Sequence, residues 1–179
     1  MKLKSMRDLL IHELQDLHSA EAQLTDALPR MAKFARNPDL KAAIETHLEE
    51  TKAQLDRVAG LLDTLEAKPG KAKQCIAMAG IIKEGEELMK EKGEDAILDA
   101  ALIGAAQRVE HYEIAAYGTA RAFAELIGET EAEEVLSEIL DEESATDEKL
   151  SEIAENVNRE AAEMSDGEGE EEQEEAEAE

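Results

Sequence analysis

Six acidic side chains and one histidine occupy positions that the helical spacing of apolar residues assigns to a buried core. Glu21 stands in a stripe of leucines in the first predicted helix, and Glu143 and Asp147 stand in a similar stripe in the last one. A carboxylate in apolar surroundings costs several kcal/mol unless something pairs with it, and neighbouring carboxylates repel each other unless protons or cations intervene. This pattern predicts a metal centre, for which the candidate ligands are Glu21, His47, Glu50, Glu110, Glu113, Glu143 and Asp147.

The composition favours helices as the elements that position these residues. The 179 residues include no Trp, two Tyr and two Phe, so the core must consist of aliphatic side chains, which suit close helix packing. The sequence predicts an all-α, ferritin-like four-helix bundle, in which a long crossover containing a short extra helix joins helices two and three. In this prediction residues 1–159 form the bundle and residues 160–179 form a disordered acidic tail.

Caps and helix breakers set the predicted boundaries. Ser5 is an expected N-cap, Pro29 predicts a kink or an early end of the first helix, and Gly128 stops the third helix. The second helix ends at Lys68-Pro69-Gly70. The long helices are predicted at about residues 5–36, 38–68, 95–127 and 130–159, and the crossover helix at about 75–90.

The candidate ligands share one depth in the predicted bundle. Depth here is the distance along the helix axis from the loop that joins two helices. Measured from the loop between the first two helices, Glu21 and Glu50 differ in depth by only about 4–5 Å at about 1.5 Å per residue. Counted from the second loop, the four acidic candidates of helices three and four fall in one layer. Three pairs also have the i,i+3 or i,i+4 spacing that places two side chains on one helix face: His47 with Glu50, Glu110 with Glu113, and Glu143 with Asp147.

Ligands rich in carboxylate oxygen suit iron or manganese, whereas a structural zinc site requires more Cys or His. The predicted cofactor is two Fe ions, with Mn as the alternative. The alternatives for individual residues are a core histidine for His47, Glu49 in place of Glu50, and a hydrogen-bond partner of a ligand for Asp147. His111 is expected to be a hydrogen-bond partner of a ligand or an interfacial residue. Tyr117 lines the site or packs in the core.

Five segments of the chain resemble the YciE/YciF bacterial stress-protein family, a ferritin-like group. They are residues 13–17, 20–25, 47–51, 99–119 and 145–150, of which the longest reads DAALIGAAQRVEHYEIAAYGT. The resemblance spans roughly residues 5–157. It implies a rubrerythrin-like bundle with a dimetal centre that forms a homodimer, and it implies no defined reaction.

The sequence departs from that family's pattern at three positions. His18 stands where the family has Tyr, Ala79 where it has Glu, and Ser144 where it has Lys. His18 is either an extra ligand or a proton carrier, because it lies three residues before Glu21. The Glu-x-x-His pair of di-iron bundles is absent and the order His-x-x-Glu replaces it, which leaves the full ligand set open.

The net charge of −26 argues against nucleic-acid and membrane partners. Ten acidic and no basic residues lie from position 163 to the end, and such a surface suits either a salt-loving source or an ordinary acidic cytoplasmic protein. The single cysteine, Cys75, forms no intrachain disulfide and is expected to be a small buried side chain or a thiol without a role. The cytoplasm is the expected location.

The leading functional prediction is a stress-response protein that reacts Fe(II) with O2 or peroxide, in a ferroxidase or detoxifying role that needs an external electron donor. The alternative is a non-enzymatic dimeric bundle whose metals are structural or absent. A third reading is iron storage in a cage, which light scattering tests.

Overall fold

Five helices make up the secondary structure of the residues that the computed structural model describes, which are 3–68 and 74–177, with side chains described as far as residue 163. They are α1 (Met6–Phe34), α2 (Pro38–Thr64), α3 (Ile76–Leu88), α4 (Asp95–Ile127) and α5 (Thr130–Glu177).

Local signals in the sequence set most of these boundaries. The Ser5 side chain caps α1 by accepting a hydrogen bond from the backbone N–H of Asp8 at 3.1 Å. Helix α1 continues through Pro29, so the predicted early end there is wrong. Gly128 ends α4 with φ +75°, a conformation that favours glycine, and the N–H of Glu129 then reaches the carbonyl of Ala124 at 3.0 Å.

The contacts between α1 and α4 define the topology. Arg7 at the start of α1 pairs with Glu129, just beyond the end of α4, at 3.3 Å. The backbone N–H of Arg36, beyond the end of α1, reaches Asp99 near the start of α4 at 3.0 Å. The two helices are therefore antiparallel, and the crossover that contains α3 makes α2 and α4 parallel. Since α3 packs on α1 and α4, the predicted ferritin-like bundle with a helical crossover is confirmed.

Two separate apolar clusters fill the bundle. One contains Leu10, Leu14 and Leu17 of α1, and the other begins on the same helix at Ala20 and Leu24. Glu21 lies between Leu17 and Leu24 on the same buried stripe and is fully buried. The apolar core is therefore divided by a polar layer at the middle of the bundle.

The last helix extends further than the sequence predicted. Its backbone is helical to Glu177, whereas the predicted end was about residue 159. Glu and Ala are good helix formers, so a high density of charge does not by itself exclude helical backbone. The separation of residues 160–179 as a disordered tail stays a prediction, and Pro69 and Gly70 of the predicted second-helix end lie outside the described residues.

Asp99 holds the first interhelical loop against α4. Its buried carboxylate accepts the backbone N–H groups of Arg36 at 3.0 Å and of Asn37 at 2.6 Å. We expect Asp99→Ala to lower the free energy of unfolding by about 3 kcal/mol, because two charge-assisted hydrogen bonds are lost and two donors lose their partner. Urea unfolding measures the loss.

Asp95 provides the control for this prediction. It pairs with Arg36 at 3.4 Å, but its side chain is 72% exposed. Asp95→Ala is expected to cost less than about 1 kcal/mol, since exposed ion pairs contribute little. Equal losses for the two variants would contradict the role assigned to Asp99.

Candidate metal centre

The polar layer brings four side chains from three helices to one point. His47 comes from α2, Glu110 and Glu113 from α4, and Glu143 from α5. One ligand atom from each of them lies within 4.8 Å of the other three, and all four side chains are buried. The i,i+3 spacing of Glu110 and Glu113 explains why α4 supplies two of them from one face.

Most polar atoms of this group lack a hydrogen-bond partner among the described residues. They include both carboxylate oxygens of Glu113 and Glu143, Oε2 of Glu110, and both ring nitrogens of His47. Buried polar groups in native proteins are nearly always paired, and each exception requires a physical reason. A bound cation supplies one, because these atoms are metal ligands by type.

Burial raises the pKa of every carboxyl group in the layer. It raises the pKa of Glu143 to about 7, and it raises the pKa values of Glu110 and Glu113 well above their ordinary range, where neighbouring negative charges add to the effect. Without a metal, this group therefore retains protons at neutral pH that exposed glutamates have lost.

His47 shows the opposite shift. Burial lowers its pKa to about 4, so the imidazole is neutral at pH 7. Its Nε2 lies 3.4 Å from Oε1 of Glu110, a contact that forms an ion pair only when the ring is protonated. We interpret His47 as neutral, since it is 3% exposed and a neutral imidazole has a lone pair for a metal.

Glu21 completes the layer from α1. The Tyr117 hydroxyl donates a hydrogen bond to its Oε1, while its Oε2 has no partner among the described residues. Burial, followed by the charge of Glu143, raises the pKa of Glu21 to about 8. Tyr117 therefore combines the two predicted roles, because its hydroxyl contacts Glu21 while its ring packs in an apolar cluster.

The other two predicted ligands lie outside the group of four. Glu50 is partly exposed on α2 and accepts a hydrogen bond from the Thr146 hydroxyl at 3.4 Å. Asp147 is also partly exposed and contacts Gln107 at 3.2 Å and His111 at 3.6 Å. Ligation by any of the seven predicted residues stays a prediction.

Other residues singled out from the sequence lie around this layer. The side chain of His111 is 67% exposed, and His18 is not part of the group of four. Cys75 is buried, as expected, and its Sγ lies 3.0 Å from the Tyr112 hydroxyl, which donates to Asp16 at 2.8 Å.

The sequence reasoning missed a polar contact that lies beside the site. Buried Gln54 donates to Glu142 at 3.0 Å, and Arg57 pairs with the same carboxylate. Gln54 follows the buried Thr51 by three residues, a spacing that places both on one face of α2. This spacing would have predicted from the sequence that Gln54 is buried.

The donor set fits a hard or borderline divalent metal. One imidazole and several carboxylates are typical ligands of Fe and Mn, and no thiolate belongs to the group. The four ligand atoms all lie within 4.8 Å of one another, which is close to the span of about 4.4 Å that two ligand atoms at about 2.2 Å on opposite sides of one ion can have. This buried His/Glu group can therefore hold a metal.

Similar proteins support the fold and the family. Protein YciF of Escherichia coli (strain K12) is 44% identical over 162 residues, which cover 90% of this chain and 98% of YciF. The crystal structure of the E. coli stress protein YciF superposes with a TM-score of 0.84 at 43% identity, over 88% of this chain and 99% of that chain. YcfI from Rhodopseudomonas palustris gives a TM-score of 0.80 at 43% identity, over 84% and 95%.

A more distant structure shares the fold alone. It is a dodecameric thioferritin, the bacterioferritin-related protein from Bacteroides fragilis, with a TM-score of 0.66 at 16% identity over 90% of each chain.

None of the described helices combines the length and apolar character needed to cross a bilayer. The family model described as "Domain of unknown function (DUF892)" matches residues 5–163, and the chain belongs to this family.

Proposed function

We propose that this chain is a non-haem dimetal carboxylate protein of the stress response, which binds two Fe ions, or two Mn ions, and reacts Fe(II) with O2 or peroxide. The observation that carries the proposal is the polar layer itself, where buried carboxylate oxygens without partners surround a neutral imidazole. The stress role is supported by the similarity to YciF, which is described as a stress protein.

The charge of the layer supports two metal ions rather than one. Among the residues with described burial, four glutamates are at most 1% exposed: Glu21, Glu110, Glu113 and Glu143. When ionised they carry four negative charges, and two divalent cations carry four positive ones. Such a balance removes the energetic cost of burying the four carboxylates.

In this proposal His47 and the four buried glutamates form the centre, and Glu50 and Asp147 are ligands at its edges. Tyr117 holds one oxygen of Glu21 and leaves the other for a metal. The apolar clusters on both sides limit access of water. Two Fe ions held by these residues would supply the redox chemistry for the reaction with O2 or peroxide, and an external donor would be needed to return the electrons.

Metal content of protein purified without chelators tests the proposal. We expect about two Fe or Mn per chain, as in related dimetal bundles. Glu110→Gln is expected to remove most of this metal, because it replaces a buried ligand with a neutral amide of the same shape. Glu125→Gln, at an exposed position of α4, is the control and should retain it. A metal-free wild type whose melting temperature is unaffected by added Fe or Mn would overturn the proposal.

A structural role for the metals is the second candidate. The layer joins residues from α1, α2, α4 and α5, so bound ions would crosslink all four long helices. Fe(II) oxidation measured against a protein-free blank separates the two candidates. A rate above the blank supports the reaction with O2 or peroxide, whereas a rate equal to the blank together with a melting temperature lowered by chelation supports the structural role.

A further inference from the structure

A groove of about 630 Å³ lies on the outside of the bundle between α2 and α5. Its walls include the short side chains of Ala42, Ala43 and Thr46 from α2 and of Ala145 and Thr146 from α5. Because these side chains are short, they do not fill the space between the two helices. The groove thus brings solvent close to the buried layer.

A small cavity of about 10 Å³ lies further inside, beside the metal centre. It is lined by His47 and Glu110, and it shares two residues with the outer groove, Ala43 and Thr146. His47 is 3% exposed and has no hydrogen-bond partner for either ring nitrogen, and Oε2 of Glu110 has none either, among the described residues.

The charge around the groove favours cations. The acidic residues that line it and the adjoining surface are Asp39, Glu45, Glu49, Glu50, Glu142 and Glu152, against the basic Arg57 and Lys149. Four of the six acidic side chains form ion pairs, and the other two form none with the residues that the structure describes. The pairs are Glu152 with Lys149 at 3.0 Å, Glu142 with Arg57, Glu45 with Lys41 at 3.9 Å and Glu49 with Lys52 at 2.7 Å. Glu50 has no ion-pair partner among the described side chains and accepts only the Thr146 hydroxyl. A concave acidic surface raises the local concentration of cations.

We infer that divalent cations reach the buried centre through the gap between α2 and α5 at Ala43 and Thr146, with the acidic groove as their collecting surface. This path rests on the metal centre proposed above. It gives Thr146 a function of its own, because the size of that side chain sets the rate of metal exchange without contributing a ligand. A narrower gap raises the free-energy barrier both for entry of the metal ion and for its release.

The exchange kinetics of Co(II), used as a spectroscopic probe, test this path. Stopped-flow absorbance measures the association rate with metal-free protein, and chelator competition measures release. We expect Thr146→Leu to slow both rates by about tenfold, so that the Kd changes much less than either rate. Thr146→Ala, which widens the gap, should exchange at least as fast as the wild type.

Two further variants exclude a merely structural effect. Thr119→Leu makes the same substitution at an exposed position of α4 and should leave both rates unchanged. Ala43→Val narrows the gap from α2 and should slow both rates even when Thr146→Leu folds poorly by circular dichroism. Wild-type rates in a folded Thr146→Leu or Ala43→Val protein would overturn the path, while a wild type that binds no Co(II) would overturn the metal centre and the path together.

Discussion

The metal-free protein is expected to lose stability as the pH rises from about 6.5 to 8, whereas the metal-loaded protein is not. Burial raises the pKa of Glu21 to about 8 and that of Glu143 to about 7. In the unfolded chain both groups titrate near 4.5. Between these values the folded state binds more protons than the unfolded state, so the free energy of unfolding falls as the pH rises.

His47 has the opposite effect and thereby sets the lower limit of this window. Its folded pKa of about 4 lies below the ordinary value of 6.5 for histidine. The contribution of His47 to the free energy of unfolding therefore increases as the pH rises to about 6.5 and is constant above it. The carboxyl groups therefore dominate most clearly from about pH 6.5 to 8.

Bound metal reverses the trend, because it replaces the protons and binds more tightly as the carboxyl groups ionise. Melting temperatures of the chelated and the metal-loaded protein should be close at pH 5 and diverge up to pH 8. In Glu21→Gln the decline of the chelated protein should be shallower, since one of the titrating groups is gone. Parallel curves for chelated and loaded wild type would show that the layer does not exchange protons for metal.

Replacing Glu113 with leucine is expected to stabilise the metal-free protein and to abolish metal binding. The Glu113 side chain is fully buried and neither of its oxygens has a hydrogen-bond partner among the described residues. Leucine has a similar volume and no polar atom to bury, and a buried polar group without a hydrogen-bond partner costs about 1–3 kcal/mol. We expect a gain in this range for Glu113→Leu in urea unfolding at pH 8, measured with chelator present.

Two controls show whether this gain depends on the site. Leu14→Ala, in the adjacent apolar cluster, should cost about 2–5 kcal/mol, as ordinary core truncations do. Glu125→Leu, at an exposed position, should change stability by less than about 0.5 kcal/mol. Destabilisation by Glu113→Leu would indicate that the layer is a fixed structural network instead of a site left ready for metal.

The presence of the helices and some of their ends could be predicted from local sequence signals in this chain. The N-cap at Ser5 and the left-handed Gly128 are decided within a few residues of sequence, and the structure has both. Local signals at Pro29 left a kink and an early end as alternatives, and the structure excludes the early end because α1 continues to Phe34. The end of α5 was missed, since charge density and helix propensity give opposite indications there.

The existence of a polar layer was determined by the sequence alone. Acidic residues on leucine stripes at one depth have few physical solutions, and the structure brings Glu110, Glu113 and Glu143 to one point with His47. The periodicity of each helix was sufficient for this result, because it fixes which residues face the core.

Only the tertiary structure decided which members of that layer meet. Glu50 follows His47 by three residues and Asp147 follows Glu143 by four, a spacing that places each on the same helix face as a member of the group of four. Both side chains are nevertheless partly exposed, at the surfaces of α2 and α5. The partner of Glu21 is Tyr117, and the gap at Ala43 and Thr146 is formed by two helices far apart in the chain. Periodicity gives the direction of a side chain to within one face of its helix, whereas the separation and rotation of the helices decide the contacts.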